Sequence, residues 1–296
     1  MKKIALVAAF TLLTFLGYGQ RNNFSKHVVF AGIGANLFSG DLGGGSDDAT
    51  HGFGDLSPKA IRPSFSLGYE YRVYKNLSLR GGLLFSRVYG DDANSKNEYR
   101  RNRNLNFRSN IVSFLINMDY YFIPEKAINS RSDFGQRIAA YFTTGFGMFK
   151  FNPQGELDGT WYDLQPLCTE GQGSNVEYKQ SINGTPYVYT TASEPYKLTA
   201  FEIPFGLGMN VQIDKTMSLG LEVAFHFTTT DYIDDCSTYY FNWEEHNLTP
   251  PSEMTNKLAD KKINYKGIRT GEKRGGSGYN DAYSTIMLTL RYKLPL

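Results

Sequence analysis

Long apolar runs are missing from this 296-residue chain: beyond its N-terminus no stretch of 18 consecutive apolar residues occurs. A bundle of membrane-spanning helices is therefore excluded, because each needs about 20 such residues. Charge of one sign is also missing. Loss of Lys2 and Lys3 with the leader described below takes the 31 basic residues to 29, against 29 acidic ones. No clustered basic footprint of the kind that holds nucleic acid remains. Cysteine is scarce, with Cys168 and Cys236 alone, and neither directly follows the leader, where a lipoprotein anchor would sit. Histidine is scarce too, at four residues.

What the chain does have is aromatic side chains and glycine: 21 Tyr, 21 Phe and 30 Gly at negative mean hydropathy. That composition fits short alternating strands with wet loops, in a membrane barrel or a soluble β-sandwich alike. Residues 1–19 read as a signal peptide. Lys2 and Lys3 give a basic start, Ile4 to Leu16 a mostly apolar core, and Gly17-Tyr18-Gly19 the small residues ahead of cleavage before Gln20. Residues 20–296 are then the mature domain.

Periodicity decides between the two architectures. In 65–73, Phe65, Leu67, Tyr69, Tyr71 and Val73 share one face, and Ser66, Gly68, Glu70 and Arg72 the other. Nine residues of alternation is the length a tilted membrane strand needs. After a Tyr74-Lys75-Asn76 turn, Leu77, Leu79, Leu83 and Phe85 oppose Ser78, Arg80 and Ser86, predicting a hairpin. The same rhythm runs through 112–122, 201–211 and 219–227, with Pro204 expected to mark a bulge or ladder break. Weaker strands are predicted at 27–38, 138–150 and 282–293; aromatics on both parities leave the phase of 138–150 open. The sum is an eight-stranded antiparallel transmembrane β-barrel, all-β, with long outer loops.

The polar faces argue for closure around a lumen. Glu70, Arg72, Arg80, Asp119, Glu202, Glu222 and Arg291 all point one way, too many charges for an apolar core but suited to a narrow lumen where they pair. Connections alternate between short ones near 74–76, 123–137 and 212–216 and long ones near 39–61, 90–104, 152–197 and 229–281. Short periplasmic turns and long outer loops are the barrel pattern, which puts both termini in the periplasm.

Few residues point to chemistry. Ser218, Glu222 and His226 share a face, but residues four apart on a strand lie about 13 Å from each other, beyond hydrogen-bond reach of about 3 Å. A lumen polar network is the expected reading. Asp231, Asp234 and Asp235 can hold calcium through oxygen or cap and pack a loop; capping or packing is expected, with no metal site, cofactor or catalytic residue. The glycines of Gly40-Asp41-Leu42-Gly43-Gly44-Gly45 lack a following Lys-Ser or Lys-Thr, so they make no phosphate loop. Arg100, Arg101, Arg103 and Arg108 fit either lipid A phosphates or a solvated loop. Cys168 and Cys236 fall in long loops on one side, where an oxidising envelope favours a disulfide over two free thiols.

Certain strings carry a resemblance. Ser39-Gly40-Asp41-Leu42-Gly43-Gly44, Gly90-Asp91-Asp92-Ala93, Arg103-Asn104-Leu105-Asn106-Phe107 and Phe151-Asn152-Pro153-Gln154 are followed by Trp161, Leu164-Gln165-Pro166-Leu167, Thr169-Glu170-Gly171-Gln172-Gly173 and Thr230-Asp231-Tyr232-Ile233-Asp234-Asp235. In this order, from about residue 30 to 293, they resemble the PorG-like outer-membrane β-barrel family of the type IX secretion and gliding apparatus of Bacteroidota. The resemblance implies a non-enzymatic barrel integral to the outer membrane, in contact with its lipid. It would anchor or position a periplasmic ring built from a PorK-type lipoprotein and a PorN-type protein. Cys168 stands where the family has Gly and Cys236 where it has Val, a joint departure that adds to the disulfide expectation. Leu294-Pro295-Leu296 departs from the usual aromatic ending. If the ring is the partner, the 123–137 turn, with Glu125, Lys126, Arg131 and Asp133, is the expected contact as the longest periplasmic link. The alternative is a related barrel with a surface binding or adhesion role, for which loops 152–197 and 229–281 would matter. A lipid-modifying enzyme would need a converged His, Ser and carboxylate.

Overall fold

The computed structural model describes residues 26–42, 58–126, 128, 133–182, 185–263 and 270–295. The expected signal peptide, 1–19, and Arg131 lie outside them. Twelve strands occur among the described residues: β1 (His27–Ser39), β2 (Arg62–Tyr74), β3 (Leu77–Asp91), β4 (Asn106–Ile123), β5 (Ile138–Lys150), β6 (Pro153–Leu157), β7 (Thr160–Asp163), β8 (Glu177–Ile182), β9 (Thr185–Thr190), β10 (Thr199–Gln212), β11 (Met217–Thr228) and β12 (Ala282–Lys293). Eight of them, β1 to β5 and β10 to β12, pair antiparallel with their neighbours, and β12 returns to β1 so that the sheet closes. The fold is that of eight-stranded outer-membrane barrels. All eight strands predicted from alternation are present.

Alternation is what turns these strands into a membrane barrel. Along β10 every second residue faces outward, with Phe201, Ile203, Phe205, Leu207 and Met209 all exposed. Phe65, Phe114, Leu221 and Leu288 continue the exposed belt on neighbouring strands. So wide an apolar exterior suits lipid, and closure satisfies every strand edge within it. Pro204 breaks the ladder without a bulge. Pairing with β5 lapses between Glu202↔Gly147 and Phe205↔Thr144 and resumes in the same register, as a residue with no backbone N–H requires.

The phase of β5 is now set: Ala139, Tyr141, Thr143 and Phe149 face inward and Phe142, Phe146 and Met148 outward. Two inward aromatics obscured it. Tyr141 fits because Gly208 on the adjacent strand has no side chain; a Cβ there would overlap the Tyr141 ring.

Much of the length of the long outer loops is folded. The β6–β7 hairpin continues from β4 through Arg108↔Gln154, and β8–β9 forms a second hairpin. Two short helices, α1 (Glu98–Arg103) and α2 (Thr255–Ala259), complete the cap. The side chain of Asn97 caps α1 by accepting from the Tyr99 and Arg100 amides. An apolar cluster of Phe38, Leu42, Val88, Phe107, Phe151, Ile233, Tyr283 and Met287 spans the outer end of the barrel and the loops above it.

Candidate functional site

Besides the apolar exterior, three regions gather polar side chains: the lumen, its periplasmic mouth and the outer cap. The structure places all seven predicted lumen charges inside the barrel, buried. Arg80 joins Asp119 at 3.2 Å and Glu222 at 2.7 Å. Arg291 pairs with Glu70 and donates to Asn210 at 3.1 Å. Arg72 lies 3.3 Å from Glu70 and 2.6 Å from Glu125. The hydroxyl of Tyr141 donates to Glu222 at 2.6 Å. Oppositely charged partners thus satisfy one another where water is scarce, the condition under which buried charge is tolerable. Among the described residues the lumen holds a cavity of about 40 Å³ lined by Arg80, Asn117, Glu222, His226 and Thr285, room for a few water molecules.

Ser218, Glu222 and His226 are not brought together. His226 lies 2.9 Å from Glu202 and 3.2 Å from the Thr285 hydroxyl, stacked on Tyr283, whose hydroxyl donates to Glu202. Glu222 belongs instead to the Arg80 set. This is a packed polar layer inside the barrel, away from the lipid face.

At the periplasmic mouth one expectation is corrected. Glu125 does not present itself to a partner. It turns into the lumen, paired with Arg72 and Lys293, where two cations converge at the end of the barrel. Gln212 donates to the Lys126 carbonyl at 3.0 Å, and Ile128 is buried, so this part of the turn folds back over the opening. The Lys126 side chain and Asp133 stay exposed.

The cap corrects further expectations. Cys168 and Cys236 are separate free thiols. Cys236 packs with Ile233 and Phe107, and Cys168 with Phe241 and Trp243. The Cys236 thiol donates to the Arg274 carbonyl, and burial pushes both thiols up from their ordinary pKa, which leaves them unreactive. Arg103 is no lipid contact. It grips both oxygens of Asp92, at 2.6 and 2.8 Å, and donates to the Asp41 and Arg274 carbonyls. Arg100 is buried too, and Arg108 binds Gln154 and lies over the Trp161 ring. Arg101 donates to the Lys96 carbonyl at the surface.

Sequence reasoning missed the knot that ties the cap. Arg274 joins Glu170 at 3.0 Å and Asp235 at 3.2 Å. Glu170 accepts from the Ser237 and Thr238 amides, and Asp235 from the Thr169 and Tyr196 hydroxyls. Burial pushes Asp235 up to about 6 even with Arg274 beside it. All four outer loops meet here through Asp41, Arg103, Glu170 and Arg274. Asp234 caps no helix; it accepts from the Leu42 and Cys236 amides and packs the loop. Most strings singled out by resemblance converge on this knot, each contributing a buried acid, arginine or aromatic. Their scatter along the chain concealed that.

No protein-family model matches the chain, and no curated protein sequence matches it. Solved structures with similar architecture include Neisserial surface protein A, at 10% identity and TM-score 0.38, covering 91% of this chain and 97% of that one. Ail, the attachment invasion locus protein of Yersinia pestis, is 9% identical at TM-score 0.33, covering 91% and 99%. The N-terminal β-barrel domain of Pseudomonas aeruginosa OprF is 7% identical at TM-score 0.28, covering 90% and 98%.

Proposed function

We propose that this chain is a non-enzymatic outer-membrane component of a type IX secretion and gliding machinery, anchoring or positioning a periplasmic ring of PorK-type lipoprotein and PorN-type protein. The observation that carries the reading is that the described residues crowd the lumen and its outer end with paired charges. Ion pairs fill the lumen, and four interlocked loops cover its outer end. Such a barrel offers surfaces instead of a route: a lipid face, a cap exterior and a periplasmic rim. The order of the sequence strings supports the specific machinery. Deletion of the gene in the native bacterium is expected to abolish export of type IX cargo and to release the ring proteins from the outer membrane. Normal cargo export in the deletion strain overturns the reading.

A second reading, surface binding or adhesion, is favoured by one observation. The resembling strings build the outer cap rather than the periplasmic rim. Removing the β8–β9 hairpin while sparing the knot separates the two. Cargo export survives under the anchoring reading, whereas surface binding is lost under the adhesion reading.

A further inference from the structure

The apolar belt ends differently on different sides of the barrel. On β10 and β11 the outward residues just beyond Phe201 and Phe227 are Thr199 and Thr229, both exposed and uncharged. On β3 the outward series runs Leu83, Phe85, then Arg87. On β4 it runs Phe114, Val112, then Asn110 and Arg108, and on β5 Phe146, Met148, then Lys150. Three neighbouring strands thus exchange apolar side chains for cations and an amide at their outer ends, on the face that meets lipid.

The sheet register gathers these groups. Arg87 stands directly opposite Asn110, and its Nε donates to Asn110 Oδ1 at 2.7 Å. Lys150 pairs with Val112 and is therefore diagonal to Asn110, at a Cβ separation of about 7–8 Å. Neighbouring strands lie about 4.8 Å apart, so Arg87 and Lys150 flank Asn110 across about 10 Å, a span that two long side chains close from either side. Arg108 holds Gln154 through Nε at 2.8 Å and lies over the Trp161 ring. Both arginines are anchored through Nε, which leaves their terminal nitrogens for an outside acceptor. Among the described residues no hydrogen bond or ion pair engages those nitrogens or the Lys150 ammonium. The nearby acids are occupied: Asp163 accepts from Asn152 and Gln154, and Asp91 from the Tyr89 hydroxyl and the Ala93 amide. Glu156 lies farther out, opposite Trp161.

We propose that Arg87, Arg108 and Lys150 bind the phosphate of a phosphorylated glycolipid in the outer leaflet, with its acyl chains along Phe85, Val112, Phe114 and Met148. Apolar surface running directly into a cationic cluster matches a lipid with an anionic head. An arginine fork suits phosphate because two of its N–H groups can bond two phosphate oxygens at once. Thr199 and Thr229 offer no such charge, so the lipid binds on the β3–β5 side. The proposal rests on the barrel's membrane setting and not on the anchoring role.

The test uses the full-length barrel in a nonionic detergent, titrated with bis-phosphorylated lipid A and with fully dephosphorylated lipid A, and read by native mass spectrometry. The phosphorylated form is expected to bind at least tenfold more tightly, with an affinity that falls as salt rises. Arg87→Gln combined with Lys150→Gln is expected to remove that advantage. Lys75→Gln combined with Lys215→Gln removes the same charge from exposed periplasmic turns and should leave binding unchanged. Unheated gel mobility confirms that each barrel is folded. Equal binding of the two lipids, or equal losses in the two double variants, overturns the proposal. So does complete displacement of the lipid by millimolar inorganic phosphate, which would mark a simple anion site, or capture of an acidic polypeptide by a patch that ignores lipid A. Normal cargo export in the deletion strain would remove the anchoring reading and leave this one standing.

Discussion

At the scale of single residues, the lumen works by mutual satisfaction. Arg291 is the clearest case: it is fully enclosed and pairs with Glu70, while Tyr121 also donates to Glu70. Arg291→Met would leave Arg72 and Tyr121 on one oxygen of Glu70 and strand the other. Breaking one side of a buried pair costs about 3–5 kcal/mol, whereas replacing both sides with apolar groups of similar size is often near neutral. Arg291→Met is therefore expected to lower stability by about that amount in urea unfolding from lipid vesicles. Glu70→Leu combined with Arg291→Met should recover most of the loss. Equal stability of the single variant and the parent would show that the pair does not hold the lumen together. These charges were legible in the sequence because period two forces every alternate residue of a strand inward. Glu125 was not legible, since it lies past the end of β4, where no periodicity fixes a side chain's direction.

At the scale of elements, strands and loops differ in what they disclose. The eight barrel strands announce themselves because lipid and lumen impose opposite polarity on neighbouring residues. The cap elements do not. β6 to β9 and the two helices are short, and what holds them is contact between distant loops, such as Arg274 with Glu170 and Arg103 with the Asp41 carbonyl. The cysteines mislead for the same reason: their shared side of the membrane was readable, but their separate apolar niches were not. The cap also carries a pH prediction. Asp231, Asp234 and Asp281 bind protons more tightly in the folded cap than in an opened chain, with Asp41, Glu170 and Ser237 facing them. A pKa raised by folding contributes stability that is complete below the ordinary carboxylate value of about 4 and is lost as pH rises through the folded value, about 8 for Asp231. Protease should therefore cut loop 229–281 several-fold faster at about pH 9 than at about pH 6. Asp231→Asn should flatten that profile. A cleavage rate independent of pH in the parent would contradict the raised values.

At the scale of the whole molecule, the two ends of the barrel are unequal. The outer end is a large folded cap whose interior is fixed by buried ion pairs. The periplasmic end is a thin rim: the β2–β3 and β10–β11 turns are short, and Glu125 and Ile128 are drawn inward. A protein that holds a periplasmic ring must do so through what the rim still exposes, and on the 123–137 turn that includes Lys126 and Asp133. A photo-cross-linking amino acid in place of Lys126 or Asp133, activated in intact cells, is expected to capture the ring lipoprotein or its partner. The same group at Tyr279, exposed on the cap, should capture neither. Because Glu125 is occupied by Arg72 and Lys293, Glu125→Gln should leave those adducts intact while lowering barrel stability. Adducts from Tyr279 together with none from Lys126 or Asp133 would move the working surface to the cap and favour the adhesion reading over the anchoring one.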